Sequence, residues 1–283
     1  MASQANATAS RYSSVTDDSA FTVLRRNLRL IGVLARREIE GRYRGSVLGL
    51  LWSFLTPLFM LAIYTFVFGT VFQSKWVTSA ADASPAEFAV ILFTGLIVYQ
   101  IFSEPVNRAP TLILGNVSYV KKVVFPVHIL VPVSLCTALF HAVVSFLMLL
   151  PFVYLVMGTI PLTALLMPLT IAPLMILVLG VSWFLASLGT YIRDIGQFVG
   201  TVVTAVLFLA PIFFPLTALP VWLRPWLVLN PLTIPVQQTR EVLIFGQIPD
   251  FAALGLYTLV ASVVFMAGYF WFQKTRKGFA DVL

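Results

Sequence analysis

The sequence predicts an all-α integral membrane protein: six transmembrane helices preceded by an amphipathic interface helix, with short re-entrant outer helices between spans five and six. Three observations lead there. Gly45 to Ser74 is a run of 30 residues without a charge, which as a helix is about 45 Å long against a hydrocarbon core of about 30 Å. The 283-residue chain is 59% hydrophobic and 10% charged, where soluble domains carry about 25% charged residues. The 18 Lys and Arg residues are sorted by membrane side rather than gathered on one soluble face, which orients the spans.

Taken in order, residues 1–20 (MASQANATASRYSSVTDDSA) are polar, rich in Ala and Ser, and lack the apolar middle of a signal peptide. They read as a disordered cytoplasmic tail. Residues 21–44 form the interface helix. At 100° per residue, Phe21, Leu24, Leu28, Ile31, Ala35 and Ile39 fall on one stripe, and Arg25, Arg26, Arg29, Arg36, Arg37 and Arg44 lie across from it. Such a helix lies in the headgroup layer. Its arginines are open to two readings, a topogenic anchor or a surface that handles lipid headgroups.

Residues 45–283 hold the membrane domain, with spans near 46–72, 88–104, 127–157, 161–190, 195–216 and 251–272. The second is the shortest, because Glu87 and Glu104 leave 16 uncharged residues between them, just under the usual minimum of about 17. Lys122 and Arg193 enclose 70 uncharged residues. That is two spans, broken at Gly158-Thr159-Ile160-Pro161. With the amino terminus inside, 15 Lys and Arg lie on the inner side and 3 outside, namely Lys75, Arg224 and Arg240. Both termini are therefore expected in the cytoplasm. Six prolines between Pro211 and Pro235 exclude a regular lipid-facing helix, since each lacks a backbone donor. Short broken helices dipping into the outer leaflet, or an interfacial loop anchored by Trp222 and Trp226, both fit.

No phosphate loop, HExxH or CxxC motif occurs, and the single cysteine, Cys136, has no internal partner. No catalytic residue and no metal ligand set is expected, and His128 and His141 read as hydrogen-bonded packing residues. The net charge of +7 follows membrane side, which argues against nucleic acid as a partner. The acidic and basic residues fall at span ends, which argues against an ion-coupled carrier. An energy source is then expected from a partner.

The spans are rich in aromatic rings. Trp52, Phe59 and Phe66 recur every seven residues on one slowly drifting stripe, with Tyr64, Phe68 and Phe72 roughly opposite. Such rings are lipid-facing or packing residues, or they line a conduit. In a conduit their faces would suit the CH-rich surface of sugar rings in a sliding polymer. Gly45 with Gly49, and Gly196 with Gly200, have small-xxx-small spacing for close helix approach. The inner loop Glu104–Pro126 is unusually apolar from Thr111 to Val120, which fits a short helix docking on a cytoplasmic partner or an interfacial turn.

Four segments in order, RREIEGRYRGSVLGLLWSFLTPL (36–58), YVKKVVFPVHILVPV (119–133), RDIGQFVGTVVTAVLFLAPIFFP (193–215) and NPLTIPVQQTREVL (230–243), resemble the membrane subunit of polysaccharide-exporting ABC transporters, the ABC-2 permeases. The resemblance covers about residues 25–275. The RYRGSVLGLLW form is most similar to O-antigen exporters, and teichoic acid exporters share much of it. The resemblance implies a homodimer in the inner membrane that carries lipid-linked polysaccharide through a channel between protomers. Two copies of a separate ATPase would bind ATP and Mg, leaving this chain without a cofactor. The resemblance maps the interface helix onto Phe21 to Arg44, the ATPase-docking helix onto Glu104 to Pro126 and the outer gate onto Pro211 to Arg240; with the ring and arginine patterns above, the substrate channel is expected at Trp52, Phe59, Tyr64 and Phe66, and lipid headgroup entry at Arg37, Arg42 and Arg44. ATPase coupling falls to Asn116, Tyr119, Lys121 and Lys122, and the outer gate to Phe213, Phe214, Trp222 and Trp226. Two other readings stand: an ABC-2 exporter of lipids or drugs, and a non-transporting scaffold of a glycan-synthesis complex.

Overall fold

The computed structural model describes residues 20–71, 76, 85–121 and 125–283. Residues 1–19 of the expected tail, together with Phe72, Lys75 and Lys122, lie outside the described residues. The interface helix is α1 (Ala20–Tyr43), and the chain then turns at Gly45 and Gly49, whose φ angles of +86° and +50° suit glycine. These two glycines serve the turn rather than helix packing: a Cβ on either would meet nothing within 4 Å.

Helix α2 (Trp52–Tyr64) continues into a wider π-helical run, Thr65–Val71, and is followed by α3 (Pro85–Leu112) and the four-residue α4 (Val117–Val120). Next come α5 (Leu130–Met157), α6 (Met167–Tyr191), α7 (Ile195–Phe208), α8 (Arg224–Val228), α9 (Thr233–Leu243), α10 (Phe251–Thr275) and α11 (Phe279–Val282). Gly158, at φ +78°, ends α5 in the left-handed conformation, and the Asp250 carboxylate starts α10 by accepting from the amides of Ala252 and Ala253.

Among the described residues five helices are long and apolar enough to cross a membrane: Gly49–Phe68, Ala86–Leu112, Val127–Met157, Leu162–Tyr191 and Phe251–Gly278. The expected span at 195–216 is shorter, because α7 has 14 residues, about 21 Å, before the backbone breaks ahead of Pro215. Contacts fix its direction. Gly180 of α6 abuts Phe265 of α10, and Ser187 lies 2.6 Å from Thr275, so α6 and α10 run parallel. The residues between them must therefore carry the chain back to the opposite end. Helix α7 does so antiparallel to α3: Gly196 sits beside Pro110 and Gly200 beside Asn107.

Helix α3 is the axis of the bundle. It packs on α5, α6, α7 and α9 and supplies Leu92, Ile97, Val98 and Ile101 to the main core. Backbones meet at three glycines: a Cβ on Gly189 would lie 2.2 Å from the Pro110 carbonyl oxygen, on Gly268 2.0 Å from the Gly180 oxygen, and on Gly180 2.6 Å from the Phe265 backbone. No side chain fits there. Some hydroxyls within the bundle bond to their own helices, as Thr94 does to Val90 and Thr137 to Val133, while Thr170 and Thr239 meet across two helices at 3.0 Å.

Sequence reading ends the second span at Glu104, yet α3 runs on to Leu112 with Glu104 and Arg108 on its surface. Helix α1 accounts for this by supplying a partner to each charge.

Candidate functional site

At one end of the bundle, α1 is fastened across α3 and α5. Arg42 pairs with Glu104, and Arg108 pairs with Glu38. Both helices carry the pattern Glu-x-x-x-Arg, Glu38 to Arg42 and Glu104 to Arg108, so an antiparallel crossing sets each acid against the other helix's base. His141 of α5 joins them. Its Nδ1 lies 3.2 Å from Arg42 Nη1 and 3.4 Å from Glu104 Oε2, and its Nε2 lies 3.2 Å from the Tyr43 hydroxyl. Nδ1 faces a guanidinium that only donates and a carboxylate that only accepts, so it bonds Arg42 when unprotonated and Glu104 when protonated. A cavity of about 410 Å³ opens beside this cluster, bounded by Arg42, Tyr43, Trp52, Ser53, Gln100 and His141.

Of the predicted headgroup arginines, Arg42 has its charge matched by Glu104, and Arg37 donates to the Tyr119 hydroxyl at 3.4 Å. Arg44 lies exposed at the turn into α2. Of the predicted coupling residues, Asn116 and Tyr119 lie against α1. Asn116 donates to the Leu112 carbonyl at 2.8 Å and so closes α3, and Tyr119 stacks on Phe125 at 4.6 Å. Lys121 is exposed. A cleft of about 330 Å³ lies between Leu34, Arg37 and Glu38 of α1 and Asn116, Ser118 and Tyr119.

The structure divides the four predicted channel rings. Trp52, Phe59 and Phe66 share the open face of α2 and are 40%, 56% and 61% exposed. Tyr64 points the other way, into the bundle, with ring centroids 6.4 Å from both Phe93 and Phe68. Helix α7 offers a second open face, a shallow groove of about 530 Å³ along Gly196, Gln197, Gly200, Thr201, Thr204 and Phe208. Phe213 sits between the π-helical run and the end of α7, 6.2 Å from Phe68 and 5.7 Å from Phe208. Phe214 is half-buried, whereas Trp222 and Trp226 are exposed. No cluster of His, Cys, Asp and Glu that could hold a metal ion occurs among the described residues.

The open faces, the fastened interface helix and the short helix beneath it acquire a lineage from comparison with known proteins. The model of the ABC-2 type transporter family matches residues 29–244, from within α1 to the end of α9. The chain belongs to this family. It is a multi-pass membrane protein of the permease type. Its relatives include the O-antigen export system permease RfbA of Klebsiella pneumoniae, 25% identical over 90% of this chain and 95% of the relative. The protein of the same name from Myxococcus xanthus is 26% identical over 88% and 93%. The polysialic acid transport protein KpsM of Escherichia coli is 28% identical over 87% and 93%.

Sequence reasoning missed the Glu38, Tyr43, Glu104, Arg108 and His141 cluster. The paired Glu-x-x-x-Arg pattern was its available signal. It also missed Arg240, which hydropathy places in an outer loop and the structure buries at 3% exposure.

Proposed function

We propose that this chain is the permease subunit of an ABC transporter that exports lipid-linked polysaccharide, of the O-antigen type, across the inner membrane. Two copies assemble so that the open faces of α2 and α7 enclose the conduit, and both termini face the cytoplasm. A separate ATPase subunit, also in two copies, binds ATP and Mg and docks on the α4 segment through Asn116, Tyr119, Lys121 and Lys122. One observation carries this reading. The Gly49–Phe68 span has a window that is only 11% buried within the protomer, and it turns Trp52, Phe59 and Phe66 outward together. Three evenly spaced rings give a sliding glycan flat contacts that demand no fixed hydrogen-bond register.

The remaining elements take roles consistent with their placement. Arg37 and Arg44, with Arg42 held by Glu104, present guanidinium to the lipid pyrophosphate, whose oxygens suit a bidentate fork. Tyr64 braces α2 from behind. Movement imposed on α4 passes to α1 through Arg37 and Tyr119, and from α1 to α3 through the two ion pairs. Phe213, Phe214, Trp222 and Trp226 close the outer end.

The decisive experiment is co-purification with the partner ATPase, followed by glycan analysis in a strain lacking this chain. Lipid-linked glycan is expected to accumulate inside, and export is expected to return with the intact gene but not with a Trp52→Ala, Phe59→Ala, Phe66→Ala triple variant of normal abundance. Full export by the triple variant would remove the conduit assignment. The polysialic acid relative supports a second reading, capsule export, which the sugar composition of the accumulated glycan separates from the first.

A further inference from the structure

We propose that Arg240 is the positioning residue of the outer gate, a guanidinium that holds the segment after α7 against α3 by binding its backbone. Arg240 Nε donates to the Ile91 carbonyl of α3 at 3.0 Å, Nη1 to Pro211 at 2.5 Å and Nη2 to Ile212 at 2.8 Å. The guanidinium carbon lies 4.6 Å from the centre of the Trp76 ring. No carboxylate lies within ion-pair distance of Arg240 among the described residues. Carbonyl dipoles and one π face are its counter-charge.

The acceptors are the ones this backbone leaves over. Pro215 has no N–H, so the Pro211 carbonyl, four residues earlier, has lost the donor that a continuing helix would supply. A buried carbonyl of that kind needs a partner. Arg240 supplies it from α9. Room for the side chain comes from Gly95, where a Cβ would lie 2.7 Å from Arg240 Nη2. Beside the guanidinium is a cavity of about 470 Å³ bounded by Pro211, Pro215, Leu216, Thr217 and Gln237, so the segment has space to move once released. The bonds go to main-chain oxygens, and therefore report the path of the backbone rather than the identity of its side chains. Phe213, next after the bound residues, is set by that path against Phe68 and Phe208.

The role as a gate rests on the export reading; the positioning does not, and its test needs no glycan. In a Cys136→Ser background, single cysteines replace Phe213 at the outer end and Phe125 at the inner end. The full-length chain in nanodiscs is labelled with a membrane-impermeant maleimide without nucleotide. Arg240→Lys keeps the charge but loses the three-way fork, and Gly95→Ala keeps Arg240 but displaces it. Each is expected to speed labelling at position 213 by about ten- to hundredfold, the effect of losing a charge-assisted hydrogen bond on a local opening equilibrium, with position 125 unchanged. Alanine strengthens α3 as a helix, so faster labelling in Gly95→Ala cannot come from a weakened helix. Should Arg240→Lys fail to assemble, Gly95→Ala decides alone. Unchanged labelling at 213, or equal acceleration at both positions, would overturn the assignment. Confined acceleration in a protein that exports no glycan would retain the positioning and reject the export reading.

Discussion

Helices α2 and α3 stand side by side and are almost equally apolar, yet their fates differ. Their best windows have mean hydropathies of 1.9 and 1.7, but 11% of the first is buried inside the protomer against 72% of the second. The charged helix is the buried one. Glu104 and Arg108 are tolerated in α3 because α1 brings Arg42 and Glu38 to meet them, whereas α2 carries no charge and stays uncovered. Hydropathy thus separates membrane from water, but it does not say which span faces protein, lipid or cargo. Complementary charge on another element does.

Substitutions that test this contrast fall in a definite order. The largest effect is expected at Gly189, where a side chain would collide with the Pro110 backbone of α3. Gly189→Val is expected to cost more than about 4 kcal/mol, read as loss of a monodisperse, cooperatively melting protein. Next is Glu104→Gln, which leaves Arg42 and His141 without their acid. With the Arg42 side chain 42% exposed, the expected cost is about 1–2 kcal/mol, below that of a fully buried pair. A double-mutant cycle with Arg42→Gln checks the coupling. On the open face, single alanine substitutions at Trp52, Phe59 and Phe66 are expected to change stability by less than about 1 kcal/mol. Export should still slow about two- to tenfold, one ring contact's worth; a large loss of stability would instead mark α2 as a packing helix. The smallest effect belongs to the solvated pair Arg36 and Glu40 on α1, where Arg36→Ala should leave the melting temperature unchanged.

Much of this architecture was legible in the chain. Charge-free runs located the five long spans, and the prolines announced the break after α7. Glu104 was misread as a boundary because a hydropathy window treats each charge as hydrated, whereas here an acid and a base on different helices neutralise each other. The same blindness assigned Arg240 to a loop, since backbone carbonyls that accept from a guanidinium leave no mark in sequence. Small-xxx-small spacing picked Gly45, Gly49, Gly196 and Gly200, while backbones meet at Gly180, Gly189 and Gly268. Spacing along one helix cannot say where another crosses. The seven-residue recurrence of rings did identify one face, and Tyr64, about 140° round the helix from Phe59, belonged with the core.

The π-helical run from Thr65 to Val71 sets the phase of the rings it carries. A wide turn accommodates one more residue than an α-helix of equal rise, so the end of the run is offset by roughly 100° from the angle that α2 would dictate. Removing one residue between 65 and 71 would wind it back to ordinary pitch and rotate the distal end by that angle. Phe68 would then leave its place against Phe88 and Phe213. The surplus residue is a vernier that sets the angle of Phe68 independently of the rings on α2.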